Sequence, residues 1–501
     1  MSDLAGRNPR HLQQQHKLAK DLIRAARGGD ADANSRLKRA FPGHSRYRLA
    51  DAQLVIARDA GFESWAKLVR HVEQQELAAA GAALRHGDAI ELRRLFAGSE
   101  FLRSQINAPH FDFGRRAIHC AAKDVALIDV LLEFGADPNA GSNWENGPFV
   151  PLDEATEASA RHLISRGATL TANAAARLGW ADELRAMLSE NSELVHTRGG
   201  DGKTPLHEAA TVAIADLLID AGAHLDARCI DHRSTPAQYA LVSRPQVCRR
   251  LLERGATADI FMAAHLGDAE TARKILADEP NVAGARVNFP GYDLVPPKHI
   301  YCWELGWNKS ARQVAIEAGH PGVVAVIDQY SAEKTRLLDA AWAGDEAAAQ
   351  AIVAGAPDIL AKLTSDDHKL LPHAAHLRND PAALLMIDLG FDPTATGLDG
   401  GSTLHQAAWT GAAALVERLL KAGRCDLEQK DPTHGSTPLG WAAHGAKACQ
   451  HKKGDYLKTV QLLVNAGARL DIPANNAGTT MIQQAEGNPA VQEMLRKLGA
   501  S

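Results

Sequence analysis

Self-similarity limits what this chain can fold into more than any other feature. A motif of the form D-G-x-T-P-L-H-x-A-A, then an amphipathic stretch ending in Gly-Ala, recurs along most of it. The clearest copies are DFGRRAIHCAAKDVALIDVLLEFGADPNA (112–140), DGKTPLHEAATVAIADLLIDAGAHLDAR (201–228) and DGGSTLHQAAWTGAAALVERLLKAGRCDLE (399–428). A fourth begins THGSTPLGWAAHGAK (433–447) and resumes at YLKTVQLLVNAGARLD (456–471). About twelve or thirteen units fit between residues 78 and 500. Each reads as a turn and two helices. Thr204 suits an N-cap whose hydroxyl accepts from a backbone amide, and Pro205 suits the first helical position. Ala209 and Ala210 allow close helix packing, Leu217 and Leu218 face the core, and Gly222 ends the second helix. No unit covers its own apolar face, so stacked neighbours supply the core.

On these residues the chain resembles the ankyrin-repeat family over more than four-fifths of its length. The resemblance implies an all-α fold: an ankyrin-repeat solenoid of helix-turn-helix units with short β-hairpin fingers, capped by an N-terminal helical segment. The expected divisions are a cap (1–77), a first arm of repeats (78–260) and a second arm (261–501), as two arms of one stack. Some copies lack the Thr-Pro-Leu-His start: AALRHGDAIELRRLF (82–96), AARLGWADELRAML (175–188), MAAHLGDAETARKIL (262–276) and DAAWAGDEAAAQAIV (339–353). Three of them carry Gly-Asp between the helices, where the aspartate can cap the second helix. The first three recur every three units, which suggests duplication of a three-unit block.

The N-terminal segment does not fit the repeat. LQQQHKLAKDLIRAARGGDADANSRLKRAF (12–41) is helical in pattern, and RLADAQLVIARDAGFESWAKLVRHVE (48–73) adds helix, turn and helix. It is similar to a preface carried by a set of bacterial ankyrin proteins, which implies a bacterial source. It reads as a cap over the first repeat, with Leu54, Ile56, Phe62, Trp65 and Leu68 as its core. Nucleic-acid binding is the alternative for this segment, disfavoured because its Arg and Lys do not share a face.

Composition excludes several classes. With 55 basic and 60 acidic residues the net charge is -5, which lacks the basic excess of a nucleic-acid or anionic-membrane binder. The six cysteines are scattered without paired spacing, so neither a disulfide framework nor a zinc ribbon is indicated. The start, MSDLAGRNPRHLQQQHK, has no apolar signal core, and no later run approaches a membrane span. A cytoplasmic protein is expected, without nucleic acid, membrane or cofactor. Its oligomeric state is not indicated.

Two segments interrupt the period. NFPGYDLVPPKHIYCWELGWNKS (288–310, the insert proper ending at 309) concentrates Phe289, Tyr292, Tyr301, Trp303 and Trp307 in a chain that is 5% aromatic. By the family resemblance this connector is a projecting hairpin finger, and it is read as a binding element or as a self-packed Ω-like loop. The second insert, GAKACQHKKGDY (445–456), is polar and reads as a solvated loop whose lysines and His451 could touch a ligand.

In ankyrin proteins the residue after the Ala-Ala pair lies on the concave face. That column reads Arg85, Lys123, Glu157, Arg177, Thr211 and Val242, then His265, Glu317, Trp342, His376, Trp409 and His444. Its character changes near residue 260. Three positions earlier, on the same helical face, stand Asp339, His373, Gln406 and Trp441. Neighbouring units lie about 10 Å apart, so His265 and His376, three units apart, cannot share a small ligand. The residues from Asp339 to His444 could line one concavity, with Tyr301 and Trp303 reaching over its end. His119, His207 and His405 occupy the family's structural position, bonding within and between repeats. His373 and His376 fall outside it.

Two functions compete for that wall. The first is an interaction surface for a protein or small-molecule partner, with His265, Tyr301, Trp303, Trp342, Gln406, Trp409 and Trp441 as contacts. The second is a hydrolase or lyase in which Asp339, His373, His376 and His444 do acid–base chemistry in an aromatic pocket. Zinc would need a third ligand beside the double histidine, from Asp339 or His444. No nucleophile elbow, phosphate-cradling loop or dinucleotide fingerprint occurs. The interaction reading leads.

Overall fold

The computed structural model describes residues 12–500; the first eleven residues, part of the start read as lacking a signal core, lie outside them. The chain divides into two compact units, Met1–Thr257 and Ala258–Ser501. Both are all-α. Among the described residues extended pairing is limited to isolated antiparallel bridges, Phe111 with Arg115, Arg286 with Ser310 and Thr396 with Ser402, so the fingers are turns rather than ribbons. No helix among the described residues is long and apolar enough to cross a membrane.

The first unit opens with helices Leu12–Arg27, Ala31–Ala40, Leu49–Asp59 and Trp65–His86. Asp30 and Ser64 start the second and fourth by accepting from the amides of Ala33 and Lys67. Leu22, Ile23, Leu37, Val55, Ile56, Leu68 and Val72 form their core, while Phe62 and Trp65 pack on it half-buried. Leu54, expected in that core, is half-buried. The ring of Trp65 meets His16 edge-on at 5.0 Å. Trp65→Ala is therefore expected to cost about 1–2 kcal/mol, below the about 3–5 kcal/mol of a fully buried tryptophan. Chemical denaturation of the full chain measures it, and an unchanged midpoint would remove Trp65 from the preface core.

Helix Trp65–His86 continues through the expected boundary at residue 77 for 22 residues. Its first half carries Leu68 and Val72 into the preface core, and its second carries Ala80, Ala83 and Leu84 into the next core. Among the described residues six helix pairs follow one another in the first unit, counting this helix, and seven in the second. The Gly-Asp copies behave as their sequence suggests. Asp88, Asp268 and Asp345 each accept from an amide in the first turn of the second helix.

The copy at 201–228 departs from expectation. Gly222 lies 15 positions after His207, whereas Gly423 lies 18 positions after His405. The shortfall leaves one 3-10 turn, Pro205–Glu208, where a full first helix was expected. Thr211 becomes the N-cap of Val212–Asp220 instead of ending the first helix. Thr204 is still the N-cap of that turn with Pro205 first in it, and its hydroxyl faces His207 Nδ1 at 2.9 Å. Leu218 is fully buried beside Ile214, and Leu217 is only half-buried. An arginine of the following unit stands in for the missing turn: Arg244 donates to the carbonyls of Ala209 and His207 at 2.8 and 3.1 Å. Arg177 treats the still shorter turn Pro151–Asp153 the same way, donating to the carbonyls of Leu152 and Ala155.

Candidate functional site

In the second unit the first helices Leu370–His376, Thr403–Trp409 and Pro438–Ala448 pack side by side. Ala374, Ala375, Ala407, Ala408, Ala442 and Ala443 are all fully buried at these contacts, small enough for close approach. His373 and His376, one turn apart, therefore share one face of the first helix.

His376 is half-buried, and its Nδ1 lies 2.9 Å from Gln406 Oε1 on the next helix. The Gln406 amide is oriented by its other end, which donates to the Leu398 carbonyl at 2.7 Å. An amide oxygen has no proton to give, so His376 carries its proton on Nδ1. His373 Nδ1 faces Asn308 Oδ1 at 3.2 Å, and its ring meets Phe289 edge-on at 5.7 Å. Burial holds the His373 imidazolium down to about 4, aided by repulsion from His376 and Lys369. Burial also lowers His376, against the bond to Gln406. Burial thus favours the neutral form of both rings. Gly397 backs them: a Cβ there would sit 3.0 Å from Pro372 and 3.3 Å from the His373 ring.

Beyond them runs a series of rings. His405 meets Trp441 at 5.3 Å, Trp441 meets Trp409 at 6.2 Å, and Trp409 lies 5.4 Å from His444. Trp441 is buried, and its indole N–H donates to Asp431 at 2.9 Å. Trp409 and His444 are half-buried, and burial lowers the His444 pKa.

Several expected site residues lie elsewhere. Asp339 does not orient a histidine. It is 4% exposed and bound at 2.5 Å to the equally buried Arg286, whose guanidinium also donates to the Asn308 carbonyl. Tyr301 is fully buried, and its hydroxyl donates to Asp259, the cap of helix Ile260–Leu266, so it anchors the insert instead of facing a ligand. Trp342 is buried in the core, its carbonyl accepting from Asn379. The His265 carbonyl accepts from His320. Among the described residues no group of three or more His, Cys, Asp or Glu is arranged to hold a metal, so the third ligand that zinc would need is not assembled.

The aromatic insert folds inward onto helix Ile260–Leu266. Its ends pair between Val287 and Asn308–Lys309, and Tyr292, Val295, His299, Tyr301 and Cys302 are buried, the two tyrosine rings lying against Phe261. Trp303 is the exception, 57% exposed and edge-on to Trp307 at 5.8 Å. The polar insert is not a free loop either: helix Pro438–Ala448 extends into it. Its remainder is pinned by Arg378, which donates to the carbonyls of Thr410 and Lys453, and by Tyr456, which donates to the Trp409 carbonyl. Arg286, Phe289, Asn308 and Asp431 were missed as supports. The left-handed φ of 61° at Asn308, within Gly-Trp-Asn, suits an Asn-bearing turn, but nothing local announces its histidine partner.

This architecture is that of an all-α protein built from ankyrin-type helix pairs. Residues 201–230 match the family model for the ankyrin repeat. A stretch of 73 residues is 38% identical to Protein PhlB of Serratia liquefaciens, covering 15% of this chain and 32% of that protein. The chain thus matches about a third of that relative's length.

Proposed function

We propose that the protein is an interaction protein that grips its partner on the concave wall of its second unit. Helices Leu370–His376, Thr403–Trp409 and Pro438–Ala448 would carry the contact. The observation that supports this is the shared face of His373, His376, Trp409 and His444, held in place by bonds and ring contacts with buried neighbours. Ankyrin repeats serve protein–protein contact in general, and half-buried tryptophan on a rigid helix is a typical anchor. Acid–base chemistry has less support, because the expected carboxylate, Asp339, is occupied by Arg286. Trp409→Ala is expected to weaken partner binding by about 1–3 kcal/mol while the melting temperature stays within a few degrees. Purifying the partner with the full chain and titrating both forms tests this. Equal affinity for both would move the interface off this wall.

A further inference from the structure

We propose that the double-histidine wall receives a cationic side chain of the partner, a lysine ammonium or an arginine guanidinium, with the Nε2 atoms of His376 and His373 accepting its N–H bonds. This rests on the interaction reading above and names the chemistry the partner must present.

The argument starts from two opposite uses of histidine in one chain. At His119, His207 and His405, Nδ1 accepts from the backbone amide of Arg116, Thr204 or Ser402. Nε2 then carries the proton and donates to a carbonyl of the next unit: Phe149, Ser234, or Gln429 and Ser436. Both nitrogens are consumed, and the ring is structural. His373 and His376 reverse this. Their Nδ1 protons are taken by the amide oxygens of Asn308 and Gln406, so each Nε2 keeps a lone pair, and none of the described residues bonds to it. A fully bonded neighbour holding an imidazole in one tautomer is how proteins present the other nitrogen as an acceptor.

The surroundings suit a positive donor. Trp409 lies one turn beyond Gln406 and offers a ring of the kind that attracts cations. The exposed Asp399 adds negative potential at His376. The cations nearest the two histidines are already paired, Lys369 with Asp366 at 2.6 Å and Arg378 with Asp380 at 2.9 Å, while Lys447 acts on His444 at the far end of the wall. An anion would meet two lone pairs and a carboxylate.

The test uses the full chain labelled with 15N at histidine. Long-range 15N–1H spectra are expected to show the Nδ1–H form for His373 and His376 and the Nε2–H form for His207 and His405. An Nε2–H form at His376 overturns the proposal. Titration with N-acetyl-arginine amide is expected to move the His376 Nε2 resonance, and N-acetyl-glutamate amide to leave it in place. In His376→Gln, checked for an unchanged melting curve, the response of His373 to the arginine probe should fall at least fivefold. No response to the arginine probe, or an equal response to the glutamate probe, sinks the idea. If Trp409→Ala still releases a protein partner in that case, the interaction reading survives and only the cation assignment is lost.

Discussion

Arg286→Ala is expected to lower the stability of the second unit by about 3–5 kcal/mol, the usual result of stripping one member from a buried ion pair. The substitution leaves the Asp339 carboxylate, 4% exposed, without its counter-charge. It also removes the donor to the Asn308 carbonyl, so the base of the aromatic insert loses a tether beside His373. The double replacement Arg286→Met with Asp339→Leu should recover most of the loss, because two apolar chains need no counter-charge. Urea denaturation of the single and double variants decides it. If the single change costs less than about 1 kcal/mol, near the value of an exposed pair, the pair is solvated and the insert is held by its apolar contacts alone.

The second large effect separates two neighbouring histidines. His405→Ala should cost about 3 kcal/mol, since it leaves the Ser402 amide and the Gln429 carbonyl unmet and takes one of two donors from the Ser436 carbonyl. It also opens space against Trp441. His376→Ala removes a single side-chain bond from a half-buried residue and should cost about 1 kcal/mol, while partner binding falls sharply. Thermal melts and a partner titration of both variants give the contrast. If His376→Ala unfolds the unit as readily as His405→Ala, His376 is structural and the binding wall loses its centre.

The repeat units were readable because their signals are local. A capping aspartate, a helix-ending glycine or a buried alanine pair each acts within a few residues, so Asp88, Asp268 and Asp345 could be placed from spacing alone. The candidate wall was readable in part. The column rule placed His376, Gln406, Trp409 and His444 on neighbouring helices. It could not separate tryptophans whose faces differ: Trp441 is tied to Asp431 and Trp342 is packed inward. Asp339 was misjudged because its partner lies 53 residues away in sequence. Tyr301 was misjudged because aromatic density in a loop does not reveal which rings fold inward. At 201–228 a deficit of residues, not a change of type, removed most of a helix, and composition is blind to length.

The short turns of the first unit have a consequence for how the chain can be made. His119 and His207 reach forward to carbonyls of the unit that follows. Arg177 and Arg244 reach back to finish a turn that precedes them. A unit of this kind is incomplete until its successor exists. During synthesis from the N-terminus, the most recently emerged unit would always wait with open carbonyls, and closure would advance one step behind elongation. Such an array has a direction: truncation after residue 230 would strand the carbonyls that Arg244 closes, whereas the arginines of the earlier units would still find theirs.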